Sequence, residues 1–306
     1  MKIAILDGYT LFQNDINRNV FDKFGNVVYL DRLVDQPIPE NMLDSEILIT
    51  NKYVLNKDNI PLFKNLKKII VSATGINCID SEYCKEQHIP VKNVPGYGTE
   101  SVAQHAFSLI LFYTNHVAQH SDSVRKGDWS KKPDFCYQIN PIIELKDKVI
   151  GIIGLGAIGK ATAKIADAFG MKVIYHHTRD LKNEYSFKTL DELYEQADFI
   201  SLNCPATSEN IGFINAGALD KMKKTAVIVN TARGILINEK DLAQALKTQK
   251  IAAALLDVLE KEPPSKDNPL INLSNCFITP HNAWMSLEAR MRIIDIISNE
   301  LALGEL

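Results

Sequence analysis

A glycine-rich turn set between a buried strand and a helix, near the middle of the chain, constrains the fold more than any other feature. It reads Gly154-Leu155-Gly156-Ala157-Ile158-Gly159. The apolar run 149–153 precedes it. A helix carrying Ala161, Ala163, Ala166 and Ala168 follows, and Gly170 stops that helix before the next strand. In such a context the first glycine allows the tight turn and the second lets the backbone approach a pyrophosphate. The third lets helix and strand pack closely, while the helix N-terminus faces the phosphates. Alone the spacing is a weak signal, and a ligand-free glycine turn is the competing reading. The strand before and the helix after favour a dinucleotide seat, with Gly154, Gly156, Ala157, Ile158 and Gly159 at the cofactor.

Strand–helix alternation continues on both sides of this turn. Apolar runs at 3–6, 47–49, 69–71 and 91–94 read as buried strands, with amphipathic stretches such as 83–88 between them. A second series of strands is expected at 149–153, 172–175, 199–202, 226–229, 252–256 and 276–278. Such alternation argues for parallel sheets with helices on their faces. Between the two series, 101–118 is apolar on nearly every side and reads as one long buried helix, capped by Thr99 or Ser101. A looser stretch, 126–141, follows it, and a last amphipathic helix covers 284–302.

The phosphate loop begins only at residue 154 of 306, and the last helix lies beyond the second sheet. The simplest chain path returns that helix to the first domain. The expected fold class is therefore α/β. A Rossmann-type doubly wound parallel-sheet cofactor domain, residues 99–282, is inserted in a flavodoxin-like α/β substrate domain, residues 1–98 plus 283–306. The two crossings would act as hinges around a cleft, with ligands beyond the strand C-termini.

Composition excludes several classes. Hydrophobic residues are 46 % and charged residues 23 %, an ordinary globular mix, and the net charge of -3 offers nothing to nucleic acid. No apolar run approaches a membrane span, and Met1-Lys2-Ile3-Ala4-Ile5-Leu6 lacks a signal-peptide layout. The five cysteines form no Cys-x-x-Cys, which suits free thiols in a reducing cytoplasm.

Three polar residues follow the loop in a fixed order: Arg233 in Asn230-Thr231-Ala232-Arg233-Gly234, Glu262 in Glu260-Lys261-Glu262-Pro263, and His281 in Thr279-Pro280-His281-Asn282. A guanidinium at a strand end can hold a carboxylate bidentately and polarise the adjacent carbonyl. An imidazolium can protonate a forming alkoxide, and in reverse it is the base. A carboxylate beside it fixes the tautomer and favours the charged ring. Singly, each is more often a turn arginine, a solvated loop acid or a structural histidine. Their joint order behind a nucleotide loop points to hydride transfer to or from a 2-oxo acid. Asp257, ending a strand, is placed to bind a nicotinamide carboxamide.

The second strand of the cofactor domain ends Tyr175-His176-His177-Thr178-Arg179-Asp180. An NAD site usually has Asp or Glu at the position taken here by His177, and Arg179 can pair with a 2′-phosphate. That leans to NADP. A displaced Asp180 doing the acidic job, with Arg179 a solvated cation, is the alternative. His116 and His120 are spaced i, i+4, but no third ligand is near in sequence, so no metal is expected. Cys78 and Cys84 read as packed thiols.

Taken together, the motifs make the chain resemble the D-2-hydroxyacid dehydrogenases along essentially its whole length. They are Ala73-Thr74-Gly75-Ile76-Asn77 with Asp80, Asn93-Val94-Pro95-Gly96-Tyr97, the glycine loop, Asn203-Cys204-Pro205-Ala206-Thr207, Asn230-Thr231-Ala232-Arg233-Gly234, Leu256-Asp257-Val258 with Glu262-Pro263, and Thr279-Pro280-His281. The resemblance implies that Arg233, Glu262 and His281 are catalytic. It implies that Ala73, Thr74 and Gly75 offer amides to the substrate carboxylate. It places His177, Thr178, Arg179, Cys204, Pro205, Thr207, Thr231, Ala232, Arg233, Asp257 and His281 at NAD or NADP. A homodimer through the cofactor domain is also implied.

Asp128-Trp129-Ser130, Asp134-Phe135-Cys136-Tyr137 and His281-Asn282-Ala283-Trp284 are similar to the glycerate dehydrogenase or hydroxypyruvate reductase branch, favouring hydroxypyruvate and D-glycerate, or glyoxylate. Trp284 either walls the substrate pocket or packs a helix. Two other functions fit the same fold. A non-catalytic NAD(H)-sensing binding protein would carry a partner groove and tails. A formate dehydrogenase needs no proton donor and pairs its histidine with glutamine, against which Glu262 argues.

Overall fold

A computed structural model describes residues 1–33 and 37–303. Residues 34–36 and 304–306, which fall in the expected substrate-domain segments, lie outside the described residues. The chain divides into two compact units, Met1–Tyr97 with Met285–Leu306, and Gly98–Trp284. Gly98, Ala283 and Trp284 thus fall in the second unit.

In the first unit, strands β1 (Lys2–Ile5), β2 (Asn26–Tyr29), β3 (Ile47–Thr50), β4 (Lys68–Val71) and β5 (Val91–Asn93) form one sheet in the order β2-β1-β3-β4-β5. Every pairing is parallel, and this is the flavodoxin-like order. Strands β3 and β4 are buried at every position, as a parallel sheet covered on both faces requires. Helices α1 (Tyr9–Phe12) and α2 (Ser81–Glu86) belong to this unit, as does the C-terminal helix Leu287–Ala302. That helix starts at Leu287, not Trp284, because Ser286 caps it by accepting from Ala289 N at 3.2 Å. Its buried Arg290 pairs with Asp15 through two hydrogen bonds, and Arg292 donates to Tyr97 O at 2.7 Å.

The second unit opens with α3 (Thr99–Asn115) and α4 (Val117–Arg125). The expectation of one helix across 101–118 is corrected here. His116 takes a left-handed conformation, φ 51°, and breaks the run. Nor is α3 buried all round, since Gln104, Ser108 and Phe112 are exposed. Its N-cap is Gly98 with no side-chain cap, so Thr99 and Ser101 do not serve as caps. The strands are β6 (Val149–Ile153), β7 (Lys172–His176), β8 (Ser186–Phe187), β9 (Phe199–Leu202), β10 (Val227–Asn230), β11 (Ala253–Leu256) and β12 (Cys276–Ile278). Helices α5 (Ala157–Ala168), α6 (Leu190–Gln196), α7 (Ala216–Asp220) and α8 (Glu239–Lys247) alternate with them.

The sheet order is β12-β11-β10-β9-β6-β7-β8, all parallel. From β6 the chain winds one way through β7 and β8, then returns to β6's other side at β9. The reversal places a switch point beside the C-terminal end of β6, where nucleotides bind in such sheets. One sheet face buries Leu193, Ile200, Ile228 and Leu242 under α6 to α8. The other buries Phe107, Ile110, Ile152 and Val229 under α3 and α5. No described helix is long and apolar enough to cross a membrane.

Candidate active site

Each glycine of the loop after β6 has its own steric reason. Gly154 has φ 94°, and a Cβ there would sit 2.8 Å from the Asn203 backbone. At Gly159 a Cβ would lie 2.2 Å from Gly154 O, so α5 can approach β6 only without a side chain. A Cβ on Gly156 would meet nothing within 4 Å. The fold itself does not demand glycine at that position, which leaves the backbone open to a close approach by a phosphate. The exposed Ala157 and half-buried Ile158 open α5, whose first-turn amides have no intrahelical acceptors. Thr231 Oγ1 and Asn203 Oδ1, at the ends of β10 and β9, are buried and have no hydrogen-bond partner among the described residues. Open glycine, helix N-terminus and orphaned polar atoms share the C-terminal edge of one sheet, and together they fit a dinucleotide.

Arg233, Asp257 and His281 follow β10, β11 and β12, three adjacent parallel strands. Asn230, fully buried at the end of β10, donates to Arg233 O at 2.9 Å and accepts from Ala232 N at 3.0 Å. This staple fixes the turn from which Arg233 emerges, exposed, with Nη1 on Ala232 O at 2.7 Å. Gly234 then passes so close to the next loop that a Cβ would lie 1.9 Å from Leu259 C. Glu239 of α8 secures that loop from below, accepting from Glu260 N at 2.8 Å and Asn268 Nδ2 at 2.6 Å. Asn230 and Glu239 escaped the sequence reading. Their signal was a polar residue at the end of an apolar strand and an acid in a first helical turn that proves buried.

Glu262 and His281, distant in sequence, are brought together. Glu262 Oε1 accepts from Leu259 N at 3.0 Å and Oε2 lies 2.6 Å from His281 Nδ1. The two side chains are 34 % and 30 % exposed, so the pair borders solvent. A carboxylate only accepts, so Nδ1 carries a proton. Among the described residues His281 Nε2 has no partner, and it remains for a ligand oxygen. The His281 backbone is left-handed, φ 52°. Its amide donates to Asp257 O at 2.8 Å. The Asp257 carboxylate, 1 % exposed, accepts from Thr279 Oγ1 at 2.6 Å, Asn282 N at 3.0 Å and Ala283 N at 2.9 Å. Asp257 therefore organises the His281 turn, a task that the sequence did not announce.

The remaining residues fall as follows. His177 Nδ1 lies 3.1 Å from Thr178 Oγ1 and Arg179 is exposed, beyond β7. Asp180 is engaged in its own turn, accepting from Tyr175 Oη at 2.6 Å and Lys182 N at 2.9 Å. The Tyr175 hydroxyl holds that carboxyl below its usual range. Cys204, Pro205 and Thr207 lie beyond β9, where Asn210 donates to Pro205 O and accepts from Thr207 N. Burial pushes the Cys204 thiol up. Ala73, Thr74 and Gly75 lie in the first unit after β4. Val94 N and Asn93 Nδ2 donate to Ala73 O and Thr74 O, and among the described residues the three loop amides have no acceptor. Trp284 stands against Gly98 at the start of α3. His120 spends Nδ1 on His116 O and Nε2 on Ile139 N, leaving no lone pair for a metal.

A phosphate-binding turn at a sheet switch point, with a cation and an imidazole–carboxylate pair on neighbouring strand ends, is the equipment of a nicotinamide-dependent oxidoreductase. Residues 107–283 match the family model "D-isomer specific 2-hydroxyacid dehydrogenase, NAD binding domain". The chain is 42 % identical to a hydroxypyruvate reductase of Blautia hydrogenotrophica, over 98 % of this chain and 96 % of the relative. It is 38 % identical to a glycerate dehydrogenase of Methylorubrum extorquens, over 85 % and 82 %. The fold matches the NADPH-dependent glyoxylate/hydroxypyruvate reductase of Sinorhizobium meliloti, solved with NADP and malonate. There the TM-score is 0.83 and the identity 26 %, over 98 % of this chain and 92 % of that one. The chain belongs to the D-isomer specific 2-hydroxyacid dehydrogenases, NAD(P)-dependent oxidoreductases acting on CH–OH donors.

Proposed function

We propose that this protein reduces hydroxypyruvate to D-glycerate, and glyoxylate to glycolate, with NADPH preferred over NADH. The observation that carries the chemistry is the 2.6 Å contact of Glu262 with His281 Nδ1, which leaves Nε2 for the substrate carbonyl. Bound nicotinamide cofactor supplies the hydride, which goes to C2 of the oxo acid. His281 Nε2 delivers a proton to the carbonyl oxygen, and Glu262 stabilises the imidazolium until then. Arg233 grips the carboxylate and draws electron density from the carbonyl. Asp257 Oδ2, with a single protein donor, keeps capacity for the carboxamide N–H. Cys204, Pro205, Thr207, Thr231 and Ala232 line the cofactor side.

The NADP preference rests on His177, where no carboxylate repels a 2′-phosphate, and on Asp180, which Tyr175 and Lys182 already engage. Arg179 is then the cation for the 2′-phosphate. The exposed apolar residues Phe112 and Val117 on α3 and α4, 37 % and 65 % accessible, are proposed as the centre of a homodimer face. The free cysteines Cys78, Cys84, Cys136, Cys204 and Cys276 are compatible with a reducing compartment, and the cytoplasm is the compartment proposed.

A panel of glyoxylate, hydroxypyruvate, pyruvate and phenylpyruvate with both cofactors tests the proposal. Hydroxypyruvate and glyoxylate should give the highest kcat/KM, with NADPH ahead of NADH. Arg179→Ala should erase about tenfold of that preference, the worth of one charge-assisted contact. An unchanged cofactor ratio would remove Arg179 from the account, and a preference for phenylpyruvate would overturn the substrate assignment.

A further inference from the structure

Helix α3 touches the His281 turn at two points one helical turn apart. Ser101 Oγ donates to Ala283 O at 2.6 Å, and His105 Nε2 lies 2.9 Å from Thr279 Oγ1 and 3.4 Å from Asp257 Oδ1. Ser101 and His105 are i, i+4, so they share one face of the helix. Between their two contacts lies the segment Thr279 to Ala283, with His281 at its centre.

The proton positions in this network follow from counting. Thr279 Oγ1 has one proton, and at 2.6 Å from Asp257 Oδ1 it must point there, because two bare oxygens at that distance repel. Toward His105 the hydroxyl can then only accept. His105 therefore carries a proton on Nε2 and donates it. The chain runs His105 Nε2–H to Thr279 Oγ1–H to Asp257 Oδ1, and the same carboxylate collects the amides of Asn282 and Ala283. Each bond polarises the next. What they jointly hold is a non-glycine residue in the left-handed region, a conformation that persists only where its surroundings impose it.

We propose that Ser101 and His105 form a clamp that positions the acid–base histidine, with His105 acting through Thr279 and Asp257 to aim the His281 ring. Neither residue touches the reacting atoms; both are positioning residues. The inference rests on the reading of His281 as the acid–base. It gives the histidine of α3 a task that the sequence did not announce. Misplacing a proton donor by about 1 Å is enough to slow a reaction about a hundredfold.

Kinetics of variants made in the full-length protein decide it. His105→Leu and Thr279→Val remove the donor and the relay with little change in volume. His105→Gln and Thr279→Ser restore them. The first two should lower kcat for hydroxypyruvate about 10- to 100-fold, with the substrate KM and the NADPH Kd each within about threefold of wild type. A 4-deuterated cofactor should show a larger isotope effect on kcat, since the chemical step becomes limiting. The conservative pair should recover to within about fivefold of wild type, and Ser101→Ala should give a smaller loss of the same kind. A His105→Leu enzyme within twofold of wild type would overturn the clamp. So would equal losses in the leucine and glutamine variants, or a loss confined to NADPH affinity. His281→Gln, run alongside, separates the two levels: full activity there removes the acid–base reading itself, whereas an inactive His281→Gln beside a normal His105→Leu removes the clamp alone.

Discussion

Nδ1 of His281 spends its proton on Glu262, and this defines what the other ring nitrogen does. In the charged ring Nε2 is a donor, suited to a carbonyl being reduced; in the neutral ring it is an acceptor, suited to a hydroxyl being oxidised. One ring serving both directions means that His281→Gln should slow reduction and oxidation alike. Initial rates in both directions check this, and a loss confined to one direction would contradict one shared acid–base. Arg233 makes a different prediction. Arg233→Lys keeps the charge but loses the planar fork, so KM for the oxo acid should rise about tenfold and kcat should fall; steady-state kinetics returning wild-type constants would remove the bidentate contact. Arg233, Glu262 and His281 stood out in the sequence as candidates because their order behind a phosphate loop is distinctive, and the fold brings Glu262 to His281. The left-handed turn at His281 and the burial of Asp257 did not. Both depend on hydrogen bonds between residues whose adjacency only the assembled sheet creates.

At the scale of elements, the loop glycines separate folding from binding. Gly156→Ala meets open space, so the melting temperature should stay near wild type while NADPH affinity falls. Gly159→Ala drives a methyl into Gly154 O and should destabilise the fold by about 1–3 kcal/mol. Thermal denaturation with nucleotide titration measures both, and equal melting losses would mean that Gly156 serves the fold. Helix α6 supplies a surface test. Thr189 caps it within a full capping box with Glu192, so Thr189→Ala should cost about 1 kcal/mol in denaturant unfolding; an unchanged midpoint would show the box to be frayed. Central strands such as β3, β4, β9 and β10 were legible because burial on both faces leaves continuous apolar runs. Strand β8 was missed because two residues carry no pattern, and β2, which opens on an exposed Asn26 and has no fully buried position, was missed with it. The break in the long helix was missed for a related reason: nothing but the left-handed His116 marks it.

In the whole molecule, the chain leaves the first unit after Tyr97 and returns at Met285. Arg290 helps to secure that return. It is 3 % exposed, bonded to Leu11 O at 3.2 Å and paired with Asp15, whose carboxyl the guanidinium holds below its usual value of 3.8. A folded-state value lower than the unfolded one means that the contribution is complete above the unfolded value and drains away as pH falls through the folded one. Asp15→Asn should lower the melting temperature near neutral pH and flatten its decline in acid; identical acid limbs would show that another carboxylate governs it. The discontinuous path was legible because a phosphate loop at residue 154 leaves a long segment ahead of it and a helix behind. The assignment of Trp284 was less so, since a tryptophan at a domain crossing satisfies either role. The most direct test of the central claim is single-turnover reduction of hydroxypyruvate by NADPH in His281→Gln, with nucleotide affinity measured on the same sample. Hydride transfer should slow by roughly 10²–10⁴ while the NADPH Kd holds; transfer at the wild-type rate would contradict the account.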